Sequence, residues 1–376
     1  MARKRRIAIL TAGGDCAGLN AVIRAVVRTA ENVHGWEVWG VENGMEGFLQ
    51  PRDEGLRRLT RDDVAGVLTQ GGTILGASNR CDIFAVKRNG RAPRDESERV
   101  LKTFKRKGID ALICVGGDGT MGAAHRLLEM GVPVVGVPKT IDNDVRGTDR
   151  SFGFDTCIGV VGDAIGRLYT TAESHHRVML VEVMGRDAGW IGLHGGLAGG
   201  AEAILIPELP YDPDRLAHKI HARIGYGKRF SVVVVSEGAH RPGVDPTFRR
   251  EQADRLGGVS FLVAEELRRR TVLEVRHMVL GHMQRGGMPS PYDRVLASRL
   301  GQHAVTLIAE GAFGQMAALK GERMASVAME TAARGPRKVP KRGPLVAQAR
   351  EMGITFAAAD GSDDPYADAR RRYGAP

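Results

Sequence analysis

Cysteine is sparse in this chain of 376 residues: the four present, Cys16, Cys81, Cys114 and Cys157, form no CxxC pair and sit in or near apolar segments. That pattern points to structural thiols in a reducing cytosol rather than to a disulfide framework. Long apolar runs are missing too. Residues Met1 to Arg6 look like the basic start of a signal peptide, but the apolar run behind them spans only Ile7 to Leu10 before Gly13-Gly14. With no secretory or transmembrane segment after it, the expectation is a soluble, cytoplasmic protein without a membrane partner. Aromatic residues are few, 5% of the chain, while Lys and Arg number 54 against 44 Asp and Glu, a formal charge of +10. The positive balance favours anionic partners. Scarce aromatics, with arginines scattered near glycine loops, favour small phosphates over nucleic acid. Metal-ligand spacing is lacking as well: His175 and His176 are adjacent, so their side chains point apart, and no third ligand stands at ligand spacing.

What is present is concentrated between Ile109 and Asp144. The sequence predicts a strand over Ala111 to Val115, a loop Gly116-Gly117-Asp118-Gly119-Thr120, a helix over Met121 to Met130, a strand over Val132 to Val137 and a loop from Pro138 to Asp144. Two apolar runs of strand length joined by one helix form a βαβ unit, which places both loops at the carboxyl ends of parallel strands. Open α/β sheets bind ligands at that edge. Glycines in the first loop let backbone N–H groups approach a phosphate, and Asp118 suits a Mg²⁺ that keeps most of its waters. The second loop adds Asp142 and Asp144 beside Lys139. A phosphate cradle, a metal carboxylate and a base are what phosphoryl transfer to a hydroxyl requires.

Elsewhere the alternation continues at a length suited to two domains. Ile7 to Leu10 reads as a strand, turned by Thr11 to Asn20 into a helix reaching Val33. That turn matches neither GxGxxG nor GxxxxGK[ST], so dinucleotide-binding and P-loop readings lose ground. Gly71-Gly72-Thr73 with Ser78, Asn79 and Arg80 forms a polar loop, and Arg91 to Lys107 a charged, solvated helix face. A helix from Cys157 to Thr171 leads to the strand Val178 to Val183 and the turn Met184-Gly185-Arg186-Asp187-Ala188-Gly189-Trp190. The strand Phe230 to Val235 ends in Ser236-Glu237-Gly238, and Val272 to Leu280, carrying Arg276, ends in Gly281-His282-Met283-Gln284-Arg285-Gly286-Gly287. Ala253 to Arg270 and Tyr292 to Glu310 read as helices, Gly335 to Arg342 as a basic linker, Leu345 to Met352 as a short helix, and Ala357 to Pro376 as a polar, partly disordered tail.

From about Ile7 to Phe356 the chain resembles the 6-phosphofructokinase family. The GGDGT loop is shared with NAD kinases and diacylglycerol kinases, but Thr140-Ile141-Asp142-Asn143-Asp144 occurs here with Gly13-Gly14-Asp15, Met184-Gly185-Arg186 and the His282 to Gly287 turn in the family's order. The resemblance implies two Rossmann-like three-layer α/β/α domains: a donor domain of residues 1–152 plus about 286–330, a sugar-phosphate domain of 153–285, and a linker, short helix and tail from 331 to 376. It implies Asp142 as the base acting on the sugar's 1-hydroxyl, with Thr140 beside it, and Asp118 as the Mg²⁺ ligand. Gly13, Arg80, Gly117, Gly119 and Thr120 would line the ATP site. Arg186 would stabilise the phosphoryl group in transit. Ile141, Met184, Gly185, Glu237, Met283 and Gln284 would contact the sugar phosphate, and Arg177, Arg276, His282 and Arg285 would hold its 6-phosphate.

Two departures from the family's pattern stand out. Arg80 lies one residue later after Gly76 than the usual donor-site arginine. Arg24, Arg28, Arg61 and Lys228 match a basic effector pocket of allosteric bacterial members, but Tyr169 replaces another expected arginine. Pyrophosphate-using relatives carry aspartate at the position of Gly119 and lysine at that of Lys139. Gly119 leaves room for a nucleotide, so ATP is the expected donor, with a pyrophosphate-dependent enzyme or a non-catalytic sugar-phosphate-binding subunit as alternatives. The family also implies a homo-oligomer, dimer or tetramer, with shared active sites.

Overall fold

The computed structural model describes residues 3–78, 82–86, 92–244 and 258–363. By internal contacts the chain divides into two compact units, Met1–Thr156 with Arg285–Arg337, and Cys157–Gln284 with Lys338–Pro376. The strands are β1 (Arg6–Thr11), β2 (Glu37–Val41), β3 (Leu56–Leu59), β4 (Ala111–Gly116), β5 (Val134–Pro138), β6 (Arg177–Val183), β7 (Ala203–Leu205), β8 (Ser231–Ser236), β9 (Glu274–Val279), β10 (Gln315–Lys320) and β11 (Arg323–Ala328). The helices are α1 (Leu19–His34), α2 (Ser97–Lys107), α3 (Asp118–Glu129), α4 (Phe154–His175), α5 (Trp190–Gly199), α6 (Pro213–Gly225), α7 (Val259–Arg268), α8 (Pro291–Ala309), α9 (Met329–Ala333) and α10 (Pro344–Glu351). Among the described residues no helix is long and apolar enough to cross a membrane.

In the first unit one sheet runs β11-β10-β5-β4-β1-β2-β3. Its centre is parallel, with β1 paired to both β2 and β4, and β4 to β5, while β3 and β11 close the two edges antiparallel. The run Ala-Leu-Ile-Cys-Val-Gly of β4 is buried throughout, as a strand covered on both faces must be. Alternate residues Ala8, Leu10, Leu112, Cys114 and Val134 join a core with Val100 and Phe104 of α2 and Met121 and Leu127 of α3. α2 is therefore an amphipathic core helix, not the wholly solvated face its charges suggest, because Val100 and Phe104 fall on one side. β1 sends the chain through α1 to β2, and β4 sends it the other way through α3 to β5. The carboxyl ends of β1 and β4 thus flank a topological switch point.

In the second unit the sheet runs β7-β8-β6-β9, all parallel. α5 carries Gly192, Gly195, Gly196 and Gly199, and the sequence shows only a turn there because glycine disfavours helix. Tertiary packing overrides that preference. A Cβ at Gly196 would sit 2.6 Å from Ile204, and one at Gly199 2.6 Å from Ile165, so only glycine lets the helix lie this close. The C-terminal segment is packed as far as Asp363 rather than trailing as a tail from Ala357: Ile204 N–H donates to Thr355 O (2.9 Å), Asp212 N–H to Ala357 O (2.8 Å), and Asp363 accepts from Arg350 Nε (2.8 Å). Residues 364–376, like 253–257 of the expected helix, lie outside the described residues.

One buried carboxylate organises this unit. Glu182, in mid β6, accepts from Gly258 N (3.0 Å), Ser260 N (2.8 Å) and Ser260 Oγ (2.8 Å). Those N–H groups open α7 and have no partner within the helix. Glu182→Ala strands them in the interior and is expected to lower the free energy of unfolding by about 3 kcal/mol. Urea denaturation measures this, and a loss below about 1 kcal/mol would mean that other groups cap α7.

Candidate active site

β1, β4 and β5 are neighbours, and their following loops are stitched at the backbone. Ala12 N–H donates to Val115 O (2.9 Å), and Lys139 N–H donates to Gly116 O (2.9 Å). α3 begins at Asp118 rather than at Met121, so Asp118 and Gly119 form its first turn and Gly117 is the N-cap. The helix's unbonded N–H groups and positive end therefore sit within the glycine loop itself. Asp118 is exposed, and its Oδ1 accepts from Gly119 N (2.8 Å). Apart from its own helix turn and chain neighbours, none of the described residues comes within 4 Å of where a Cβ on Gly119 would stand, so among them the space beside the helix start is open. Arg80 and Asn79 lie outside the described residues.

Lys139 is 4% exposed. Its Nζ donates to Gly14 O, which anchors the Gly13–Asp15 loop from beneath. Burial holds its ammonium below the ordinary lysine range, with Cys16, Asp15 and Asp142 pulling the other way. Arg285 belongs to the same unit and lies on the same loop. Its Nη1 donates to Asp15 O (3.2 Å), and a Cβ at Gly14 would stand 2.6 Å from that nitrogen. A side chain at Gly14 would have to displace that guanidinium.

The loop after β5 is held by its own polar side chains. Asp142 N–H donates to Thr140 Oγ1 (3.0 Å), Ser151 Oγ to Thr140 O (2.9 Å), and Ser151 N–H to Asn143 Oδ1 (3.0 Å). Asn143 has φ 50°, the left-handed region that asparagine enters more readily than most residues. Ile141 and Asn143 turn inward while Asp142 and Asp144 stay partly open.

In the second unit β6, β8 and β9 end side by side. Glu237 N–H donates to Val183 O (2.9 Å), and Leu280 N–H donates to Glu182 O (3.0 Å). The Met184–Gly189 turn leaves Arg186 exposed and paired with Asp187 (2.8 Å), and Glu237 lies partly open on the neighbouring strand end. Gly189 N–H closes the turn by donating to Glu208 Oε1 (3.0 Å), which also accepts from Val339 N (2.8 Å). Burial pushes the Glu208 carboxyl above its usual range, opposed by these N–H groups. Its role has no short-range signature and was not among the expected site residues.

The His282 to Gly287 turn divides its side chains. His282 and Met283 (71% exposed) face outward. Gln284, 1% exposed, accepts from Met184 N (3.1 Å) and donates to Gly281 O (3.0 Å), so its amide positions the Met184 turn instead of facing a ligand. Arg177 and Arg276 stand apart from this edge. Arg177 opens β6 and pairs with Glu274 (2.5 Å), and Arg276 also pairs with Glu274, near the amino end of β9. Seven residues separate Arg177 from Met184, about 20 Å of strand.

Glycine loops, carboxylates and arginines at the carboxyl ends of parallel strands define the class, an α/β phosphotransferase. A family model described as Phosphofructokinase matches residues 6–308, and the chain belongs to that family. It is 49% identical over 354 residues to an ATP-dependent 6-phosphofructokinase of Chloroflexus aggregans, covering 94% of this chain and 98% of the relative. It is 48% identical over 341 residues to ATP-dependent 6-phosphofructokinase 2 of Streptomyces coelicolor, covering 89% and 97%. The solved structure of phosphofructokinase from Saccharomyces cerevisiae superposes with a TM-score of 0.74 at 28% identity, over 93% of this chain. This chain spans 47%, about half, of that longer one.

Gly238 generates a test of the Arg186 turn. A Cβ there would stand 2.8 Å from the Arg186 carbonyl carbon and closer still to its oxygen. Gly238→Ala must push the turn aside, and the phosphoryl-transfer rate is expected to fall at least about tenfold in a coupled assay. By contrast Gly119→Ala, with nothing within 4 Å, should leave the thermal midpoint unchanged.

Proposed function

We propose that this chain transfers the terminal phosphoryl group of ATP to the 1-hydroxyl of D-fructose 6-phosphate, giving D-fructose 1,6-bisphosphate, ADP and a proton, a step of glycolysis. The observation that carries this reading is the meeting of the Gly13 loop, Asp118 at the start of α3 and the Asp142 loop on three adjacent strand ends. The first unit serves as donor domain and the second as sugar-phosphate domain. Gly13, Gly117, Gly119 and Thr120 line the donor phosphates, and Arg80, outside the described residues, is the further donor-site residue. Asp142 accepts the proton as the hydroxyl oxygen attacks, and Thr140 and Ile141 shape the loop that carries it. Arg186 offsets charge on the group in transit. Met184, Gly185, Glu237 and Met283 contact the sugar, while His282 and Arg285 meet its phosphate dianion.

Asp118 fits the Mg²⁺ that such a reaction calls for. No group of three or more His, Cys, Asp or Glu residues suited to a metal occurs among the described residues. A magnesium site needs none, because the ion keeps waters and takes phosphate oxygens alongside one or two carboxylates. Held by Asp118, the ion would neutralise charge on the donor phosphates. The named activity of relatives at 48 and 49% identity supports ATP, as does the open space at Gly119. Cys16 and Cys114 are free and buried thiols, which suits a cytoplasmic location.

The amino-edge position of Arg177 and Arg276 supports a homo-oligomer, dimer or tetramer. Arg177 lies about 20 Å of strand from the carboxyl edge of its own sheet and Arg276, in register with Met179, about 10 Å from it, so on this reading each serves a neighbouring copy's sugar site. β9 is an edge strand with Met278 and Val279 exposed, as an assembly surface requires. Mixing inactive Arg276→Ala with inactive Asp142→Asn chains should restore activity in hybrids, and a fully active monomer by light scattering would overturn the assembly.

The base is tested alone by Asp142→Asn. It should lower kcat by roughly 10²-fold or more while sugar-phosphate affinity stays within a few-fold. Retention of near-normal kcat would remove Asp142 from the mechanism. For the donor, ATP should exceed pyrophosphate at least about tenfold in kcat/KM, about 1.4 kcal/mol of transition-state stabilisation. Gly119→Asp should abolish ATP use by filling the nucleotide's space. Faster turnover with pyrophosphate would assign the chain to the pyrophosphate-dependent alternative, and no turnover with either donor to a binding subunit.

A further inference from the structure

Arg337 lies beyond the residues matched by the family model, which end at 308. The stretch around it has the composition of a basic linker, yet its side chain is half-buried against the Asp142 loop. Nη2 donates to Asn143 O (2.8 Å) and Asp149 O (3.3 Å), and the Arg337 backbone N–H donates to Asp144 O (2.6 Å). Arg146, from the loop side, returns the contact: its Nε donates to Gly335 O (3.1 Å) and its Nη2 to Pro336 O (3.2 Å). Two of the three carbonyls that Arg337 engages, those of Asn143 and Asp144, belong to the residues directly after Asp142. One of them, Asn143, holds the left-handed φ of 50°, a conformation that persists only where surrounding contacts over-determine it. The Ser151 bonds lock the Asn143 side chain and the Thr140 carbonyl, and Arg337 engages the peptide planes after Asn143 and Asp144.

We propose that Arg337 is a positioning residue for phosphoryl transfer: its guanidinium and backbone fix the Asn143 and Asp144 carbonyls and so set the backbone that carries Asp142. The inference rests on the reading of Asp142 as the base and adds to it a determinant from the C-terminal segment. Charge-assisted bonds from a fork-shaped donor are directional, which suits holding peptide planes. A lysine offers a point charge at a different reach and does not reproduce two carbonyl bonds from one nitrogen plane.

The test compares Arg337→Ala and Arg337→Lys with Arg334→Ala, whose exposed guanidinium pairs along its own helix end with Glu330. Arg337→Ala is expected to lower kcat about ten- to a hundredfold, with KM for both substrates within about threefold. Added guanidinium ion should recover part of that kcat, Arg337→Lys should fall between, and Arg334→Ala should match wild type. Independently of turnover, amide hydrogen exchange over residues 140–149 should quicken about tenfold in Arg337→Ala while β1 and β4 keep their protection. An unchanged kcat with unchanged loop exchange overturns the proposal. Equal losses in kcat and substrate affinity, without guanidinium rescue and with exchange raised throughout, also overturn it by assigning Arg337 to stability alone. Wild-type protein that makes no sugar bisphosphate defeats the proposed reaction instead, and the exchange measurement still decides whether Arg337 positions the loop.

Discussion

The candidate site depends on one constraint of the first sheet: β1 pairs in parallel with β2 on one side and β4 on the other. Because each parallel crossover must return over a face of the sheet, α1 and α3 lead away in opposite directions and neither crosses the carboxyl ends of β1 and β4. Chemistry-bearing residues collect there because the chain has nowhere else to leave unbonded main-chain groups without cost. The glycines at 13, 14, 117 and 119 keep the approach to those groups clear of side chains, while Asp15 and Asp118 add carboxylates to the same loops. At Gly14 there is a local contact as well: a Cβ would stand 2.6 Å from Arg285 Nη1 and would have to displace it.

In the second unit, position is set by buried carboxylates rather than by glycines. Glu182 holds the start of α7, Glu202 accepts from Val232 N (2.6 Å) and pairs with Arg223 (2.8 Å), and Glu208 joins Gly189 to Val339. Burial pushes Glu202 and Glu208 above the usual carboxyl range, so each carries a desolvation cost. Backbone N–H groups offset it. A hydrophobic residue of similar size would escape the cost but could hold no N–H in place, so these residues favour a defined geometry over maximal stability. Glu208 shows the consequence for function, because the N–H it holds ends the turn that carries Arg186.

Much of this was legible in the sequence, for physical reasons that also mark the limit. β1, β4, β5, β6 and β8 are nearly continuous apolar runs ending in glycine or polar loops, a pattern that local reading detects. The phosphofructokinase resemblance followed from the Thr140 to Asp144 loop and its companion motifs, and the family match bears it out. Features fixed by distant contacts were not legible. α5 is helical because Ile204 and Ile165 leave no room for anything larger than glycine, which no local propensity reports. Gln284 belongs to a motif yet faces inward, since motif membership does not specify which way a side chain points. The bond from Arg337 to Asn143 spans 194 residues, and that from Val339 to Glu208 spans 131. A basic stretch followed by a polar one reads as linker and tail until such partners are known.

Lys139 and Gly119 illustrate how burial decides between two signals of opposite sense. Taken as residue types they conflict, one suggesting a donor site built for a small inorganic anion and the other one built for a nucleotide. Their surroundings separate them. The Lys139 ammonium is buried against Gly14 O, within 3.2 Å of where a Cβ on Gly13 would stand, whereas none of the described residues outside its own helix turn and chain neighbours comes within 4 Å of a Cβ on Gly119. The two positions therefore do not touch. Lys139 acts through the β1 loop, where its charge is already shared with a carbonyl and tempered by Asp15 and Asp142. Space at Gly119 is steric and unshared. On the proposed reading, the position that decides whether a nucleotide fits is Gly119, because a side chain there would exclude the larger donor, whereas a cation attracts both donors and discriminates between neither. The lysine can therefore persist in a chain of this family without defining what the site accepts.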